Sequence, residues 1–212
     1  NGKLKDLQIS DNNVLDAVFT GILVINFDGA QITDNYVKNV TGTNSDGISL
    51  LGNSTSDTSK NLLVADNIVN TVNRYGLRIE YVDEVTVSNP VTKGCNNAGI
   101  RIYECTAISI DGGYAKSNKF NSILCQNSEE IIIDGYKAYD TTDATGVGIR
   151  VATCSDVTIV NSIVKNNQSN AVYISGTDYV IVKNNNVRNN VAATKINIDS
   201  AAVNKIVADN FT

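Results

Sequence analysis

Apolar and polar positions along this chain follow a pattern that returns at nearly constant intervals. A short apolar pair ends at each of nine anchors, Ile9, Ile32, Val64, Val87, Ile110, Ile133, Ile159, Val182 and Val207, and a polar turn follows each of them. Subtracting neighbouring numbers gives steps of 23, 32, 23, 23, 23, 26, 23 and 25 residues. A unit this short, with no helical period inside it, predicts a solenoid whose repeat is one coil of β-strands.

Two short strands per unit are expected. The first ends at the anchor, as in Leu7-Gln8-Ile9, Val85-Thr86-Val87 and Val180-Ile181-Val182. The second follows a small residue, as in Gly47-Ile48-Ser49-Leu50, Gly76-Leu77-Arg78-Ile79 and Gly99-Ile100-Arg101-Ile102. Period-two alternation turns its Ile, Leu and Val inward and the residues between them outward. The turn after the anchor carries Asn in many units, among them Asn12, Asn35, Asn67, Asn185 and Asn210. Asn accepts the left-handed conformation of a tight corner, and its amide can bond the same amide one coil away, so a structural ladder is expected. Where Asn is absent, Gly112, Gly113 and Gly135 supply the same backbone freedom.

Stacked in this register, the outward positions of the second strand form columns. One column runs Leu23, Ser49, Arg78, Arg101, Leu124, Arg150, Tyr173 and Asn197; the next includes Ile25, Leu51, Glu80, Tyr103 and Gln126. Tyr81 and Glu104 follow one residue on, and Asp46 and Tyr75 stand just before the strand. Arg78 and Arg101 then lie ~4.8 Å apart at the backbone, so carboxylates or an anionic ligand must sit between them. Tyr faces with forked Arg and Glu hydrogen bonds are the mixture that sugar recognition uses. The expected substrate-binding residues are Tyr75, Arg78, Arg101, Tyr103, Arg150 and Tyr173, and the expected catalytic carboxylates are Glu80, Asp46 and Glu104. Two carboxyls would serve glycoside hydrolysis. Alternatively, Arg78 or Arg101 would neutralise a uronate carboxylate while a Tyr or Arg acts as base in β-elimination.

Composition narrows this further. The chain has no Trp, no Met and only 4 Phe, which suits a narrow core of Val, Ile, Leu, Ala and Cys. A net charge of −5 argues against nonspecific binding to nucleic acid or acidic membranes. No apolar run approaches the ~20 residues that span a bilayer. With no His at all, the commonest zinc ligand and general base are missing; neither a metal nor a cofactor is expected. Cys95, Cys105, Cys125 and Cys154 match no zinc spacing; Cys105 and Cys154 share a column two coils apart, about 9.6 Å at this strand spacing, too far for a disulfide. Four reduced, buried thiols are therefore expected, consistent with synthesis in a reducing cytoplasm. Two polar insertions, at 52–59 and 140–145, lengthen their units and are candidate borders of a groove. Asp111 and Asp134, in adjacent turns, are read as solvated.

The repeated G-[IL]-x-[IV] followed by V-x-[IV]-x-N resembles the right-handed parallel β-helix of the pectate-lyase-like superfamily along essentially the whole chain. The fold expected is all-β, a single-stranded right-handed parallel β-helix of about nine coils, forming one domain over residues 1–212 and read as part of a longer chain. Asn44-Ser45-Asp46-Gly47 is similar to a polygalacturonase turn and Arg78-Ile79-Glu80 faintly to its Arg-Ile-Lys. The Asp-Asp pair and the Gly-His-Gly of those enzymes are missing. Ile110-Asp111-Gly112-Gly113-Tyr114 is similar to a coil of alginate epimerases, whose Asp-Pro-His-Glu motif has no counterpart. Ends without capping helices, the lack of His and the Asn-rich surface together resemble the shaft of a phage tailspike. That resemblance implies binding and depolymerisation of a bacterial surface polysaccharide, a homotrimer, and a place on a virion tail or outside the cell. A free-standing polysaccharide lyase, hydrolase or epimerase is the first alternative, and a non-catalytic fibre or adhesin segment the second. Leu23, Ile25 and Leu51 form a modest outward apolar patch that suits a partner chain or a preceding coil.

Overall fold

The computed structural model describes residues 2–192, 194–199 and 204–211. Among these residues there is no helix, and the strands form three parallel sheets. The first sheet has nine strands, from Leu4–Ser10 to Asn204–Ala208. The second has seven, from Asn13–Leu15 to Ile163–Lys165, and the third has eight, from Ile22–Ile25 to Ile196–Ile198. Each sheet takes its strands in chain order, so the backbone winds through first, second and third sheet and begins again. The nine anchors pair in one unbroken row from Ile9 to Val207. The 23-residue period is therefore the length of one coil.

The structure corrects the expected two strands per coil to three. The additional strand follows the Asn turn, as in Tyr36–Val40, Val91–Cys95 and Tyr114–Lys116. It was illegible because many of its copies span three residues with one buried position. Val37, Val69, Thr92, Ala115 and Ala138 make that inward column, too sparse to show a period of two.

At most corners one residue adopts a positive φ, and these residues stack. Between the first and second sheets they are Asp11, Asp34, Asp66, Asn89, Gly112, Gly135, Asn161, Asn184 and Asp209. The left-handed residue is thus the one before the ladder asparagine, a correction to the sequence reading. The ladder itself is present: Asn12 Nδ2 donates to Asn35 Oδ1 at 3.0 Å, Asn35 Nδ2 to Asn67 Oδ1 at 3.0 Å, and Asn185 Nδ2 to Asn210 Oδ1 at 3.1 Å. Side-chain oxygens also accept backbone N–H groups of the preceding coil, as Asn67 does from Asn35 at 3.0 Å. Pro90, Gly113 and Tyr136 interrupt this ladder in the middle coils. A second ladder runs along the next corner, where Asn167 Nδ2 donates to Asn190 Oδ1 at 2.9 Å and Asn118 Oδ1 accepts the Cys95 N–H at 2.9 Å.

The core is a column of small and medium aliphatics; Ile48, Leu77, Ile100, Ile123, Ile149 and Val172 continue it from coil to coil on the third sheet. All four cysteines are buried and free. Between Cys105 and Cys154 lies Ser128, whose hydroxyl accepts the Cys105 N–H at 3.2 Å. Burial pushes the Cys105 thiol up to about 12 and raises the other three as well.

Two measurements test this interior. Asn35→Ala removes the partners of the Asn12 side chain and backbone and of the Ile9 and Thr33 carbonyls, and is expected to cost ~1–3 kcal/mol, read as a lower denaturant midpoint. An aromatic disulfide reagent at pH 8 is expected to modify none of the four thiols in the native protein and all four in denaturant.

Candidate functional site

The third sheet turns its outward columns to solvent in the register expected. Ser49, Arg78, Arg101, Leu124, Arg150 and Tyr173 occupy successive paired positions, and Leu51, Glu80, Tyr103 and Gln126 form the next column. The two insertions flank this sheet at opposite edges, 52–59 after the strand Ile48–Leu51 and 140–145 before the strand Val147–Ala152. The first is tied down: Thr58 Oγ1 donates to Asp83 Oδ2 at 2.6 Å, and Lys3 pairs with Asp57 at 3.3 Å.

Outward does not mean exposed here. Asp46 is 1% exposed and Glu80 5% exposed, and Tyr75, Ala98 and Leu124 make a small apolar cluster on the outside of the sheet. Long arginine and tyrosine side chains lie over the sheet and cover it. Asp46 accepts Arg74 Nε at 2.7 Å and Arg74 Nη2 at 2.6 Å, in the forked geometry of a guanidinium on a carboxylate. It also accepts the Ser49 hydroxyl at 2.7 Å and the Tyr75 N–H at 3.2 Å. Arg78 bridges the two carboxylates, with Nη1 at 3.7 Å from Asp46 Oδ2 and Nη2 bonded to Glu80 Oε2. Arg101 completes the chain, donating from Nε to Glu80 Oε1 at 2.8 Å and from Nη1 to Gln126 Oε1 at 2.9 Å.

The rings stack with these cations. The Arg101 guanidinium lies 5.3 Å from the Tyr75 ring and 4.9 Å from the Tyr103 ring, and Arg74 lies 5.0 Å from Tyr75. Tyr81 holds φ +58 while its ring meets Tyr103 edge-on at 5.9 Å. A bulky side chain with positive φ is uncommon, and here that backbone places an aromatic edge at the rim of the strip.

The structure therefore brings together Asp46, Tyr75, Arg78, Glu80, Arg101 and Tyr103. Arg150 and Tyr173 stay in the same column, beyond Leu124, as a separate pair with the guanidinium 5.6 Å from the ring. Glu104 stands at the corner in a left-handed conformation, beside Tyr103, whose phenol it raises in pKa by hydrogen bonding. It lies outside the ion-pair network of Asp46 and Glu80. Sequence reasoning missed Arg74, and it left Ser49 and Gln126 in their columns without a role. No column marked Arg74, which stands in the corner before the strand and reaches Asp46 of the preceding coil.

Three guanidiniums against two carboxylates leave the cluster with 3 − 2 = +1 charge, on a chain whose net charge is −5. Burial works to raise the Glu80 pKa, but hydrogen bonds from Arg78 and Arg101 outweigh it and hold the carboxyl below its usual range. Both buried carboxylates are engaged by guanidinium hydrogen bonds, Asp46 by Arg74 and Glu80 by Arg78 and Arg101. Asp111 and Asp134 stack in register, and Asn161 Nδ2 donates to Asp134 Oδ1 at 2.9 Å. Among the described residues no three His, Cys, Asp or Glu side chains converge as metal ligands, and no helix is long and apolar enough to cross a membrane.

Fold and strip together define a right-handed parallel β-helix with an arginine- and tyrosine-rich outer sheet. The chain belongs to the right handed beta helix region family, which it matches over residues 46–211. No curated protein matches the sequence. Among solved structures it is similar to the full-length tailspike protein 2 of Escherichia coli O157:H7 bacteriophage CAB120, with a TM-score of 0.60 and 16% identity over 84% of this chain and 30% of that one. It thus spans about 30% of the tailspike's length. It is also similar to the A-module of the Azotobacter vinelandii mannuronan C-5 epimerase AlgE4, with a TM-score of 0.47 and 12% identity over 97% of this chain and 91% of that one.

Because the Glu80 pKa is lowered in the folded state, its ion pairs contribute stability above the unfolded carboxyl value of ~4.3, and that contribution is lost as pH falls through the lower folded value. Denaturation curves between pH 7 and pH 2 are expected to show this loss in the wild type. In Glu80→Gln they are expected to show a smaller acid dependence from a baseline ~1–3 kcal/mol lower, since the partly buried Arg78 and Arg101 guanidiniums lose a charged acceptor.

Proposed function

We propose that this β-helix binds an extended acidic polysaccharide along the outer face of its third sheet. The observation that carries the reading is the surplus guanidinium charge of the Arg74–Arg78–Arg101 cluster, preorganised by buried carboxylates and set between tyrosine rings. A linear glycan lying along the coil axis meets one rung every ~4.8 Å, so successive sugars meet Arg78, Arg101, Leu124 and the Arg150–Tyr173 pair in turn. Tyr103 supplies an apolar ring face for a sugar, and Arg101 the fork for its carboxylate. In this reading Asp46 and Glu80 hold the arginines in place instead of serving as an acid–base pair. A likeness to a protein named as a phage tailspike supports a bacterial surface glycan as ligand and a virion-tail or extracellular setting.

Chain cleavage is a second reading, favoured by one contact: the Tyr75 hydroxyl lies 3.4 Å from Arg101 Nη1. A phenol beside a cation suits β-elimination. The Tyr75 oxygen takes the proton α to the uronate carboxylate, the C–O bond to the leaving sugar breaks as that proton passes to the departing oxygen, and an unsaturated end remains.

A panel of acidic and neutral polysaccharides separates these readings. Binding of the best acidic polymer is expected to weaken at least tenfold, about 1.4 kcal/mol, in Arg101→Ala, and to fall with added salt. Unchanged affinity in that variant would overturn the assignment of the strip. Unsaturated ends, absent with Tyr75→Phe, would establish cleavage.

A further inference from the structure

The net charge of −5 is spread unevenly over the molecule. Short strands of the second sheet present two outward columns, one on each side of their buried position. The later column runs Lys38, Asn70, Lys93, Lys116, Tyr139 and Lys165 in paired register. Asn186 pairs with Ile163, so Arg188 continues this column in the eighth coil. The earlier column runs Tyr36, Ile68, Val91, Tyr114, Lys137 and Ile163. From the fourth coil to the eighth, each coil therefore sets one cation on this face: Lys93, Lys116, Lys137, Lys165 and Arg188 in turn. The row is about 19 Å long, four steps of ~4.8 Å.

Acids withdraw from the same five coils. The left-handed residue at the corner before this sheet is Asp11, Asp34 and Asp66 in the first three coils, and Asn89, Gly112, Gly135, Asn161 and Asn184 in the next five. The carboxylates that remain beside the face are Asp111 and Asp134, which end first-sheet strands, and Asp140 at the following corner. Asp140 pairs with Lys116 at 3.7 Å, and Asp134 accepts Asn161 Nδ2 at 2.9 Å. Lys93, Lys137, Lys165 and Arg188 have no carboxylate within 4.0 Å among the described residues. Five cations against three carboxylates leave a local charge of 5 − 3 = +2. Lys165 Nζ lies 5.1 Å from the Tyr139 ring. The earlier column adds apolar surface, with Ile68 41% and Tyr114 38% exposed and Val91 and Ile163 half-buried.

We propose that the second sheet lays this solenoid lengthwise on an anionic lipid bilayer, its apolar column entering the headgroup layer and its cations meeting lipid phosphates. The chain-wide charge counts against an acidic membrane, but this face carries the opposite sign. At physiological salt the Debye length is about 8 Å, so a phosphate on this face responds to the nearest rows and not to carboxylates across the molecule. Each Lys or Arg held at an anionic lipid surface contributes ~1 kcal/mol. Long aliphatic stems let the charged ends stay with the phosphates while the apolar column sits deeper. That column selects a bilayer over a soluble polyanion. Ile68, Val91 and Ile163 gain nothing from hydrated sulfate or carboxylate groups, whereas a membrane interface takes up aliphatic and tyrosine side chains. Only side chains enter, so the strand pairing is untouched. The third sheet lies on another side of the coil, and the inference is independent of what binds there.

Flotation with unilamellar vesicles tests the proposal. At ~0.1 M salt the chain is expected to float with vesicles of equal parts phosphatidylglycerol and phosphatidylcholine, and to weaken in binding at ~1 M, where the Debye length falls to about 3 Å. With phosphatidylcholine alone it is expected to stay behind. Lys93→Glu/Lys137→Glu/Lys165→Glu is expected to lower the partition coefficient at least a hundredfold, and Ile68→Ser/Tyr114→Ser at least tenfold, both with unchanged circular dichroism. Arg101→Ala, on the third sheet, is expected to partition as the wild type does. A wild type that stays behind with both kinds of vesicle would overturn the proposal. Unchanged partition in either second-sheet variant would do the same, as would its loss in Arg101→Ala. Dextran sulfate binding that the lysine reversals abolish, with vesicles left unbound, would assign the face to soluble polyanions instead.

Discussion

The hydrogen bond from each strand to the equivalent strand one coil away is the interaction on which everything else depends. It fixes the rise at ~4.8 Å and forbids a slip of register, because a one-residue shift would turn the whole apolar column outward. Every ladder is a consequence: asparagines, left-handed corners and arginines all stack because the backbone beneath them is paired in register from Ile9 to Val207. With no hydrophobic layer beyond one narrow column, the corners carry unusual weight. Their backbone groups are served by side-chain oxygens that only an exact stack can deliver.

This explains which features were legible in the sequence. The first and third sheets announced themselves through alternation, and Ile100, Arg101 and Ile102 could be assigned inward, outward and inward from the pattern alone. The outward columns followed without error because register is arithmetic once the period is known. The second sheet did not announce itself, since a strand such as Lys137–Tyr139 commits a single alanine to the core. The left-handed corner was assigned one residue late. Asp11 and Asn12 both suit a turn by composition, and only the geometry separates the residue that bends from the residue that bonds. The left-handed backbone of Ala107 and Glu130 could not be foreseen, because both adopt it against their ordinary preference.

The strip on the third sheet shows how a solenoid makes a binding surface from a repeating core. Burying Asp46 and Glu80 is costly in isolation, and each is retained through several charge-assisted hydrogen bonds. What the carboxylates provide is order: they fix three flexible arginines so that less conformational entropy is lost when a ligand arrives. The candidate residues were found by column and not by motif, so sequence reading placed them together before it could assign their roles. Arg74 escaped because it stands off the columns, reaching in from the corner before the strand.

The gap in the asparagine ladder at Pro90, Gly113 and Tyr136 has a mechanical consequence. In a one-dimensional array, cooperativity is carried by the interfaces between neighbouring units, and the rod is weakest where an interface loses bonds. Pro90 has no N–H to donate, and neither it nor Gly113 has a side-chain acceptor to hand on, so the amide relay running from one end stops where the relay from the other has not yet begun. Across these coils the strand pairing of the three sheets, with the Asn118 amide oxygen at the next corner, carries the coupling that the asparagines share elsewhere.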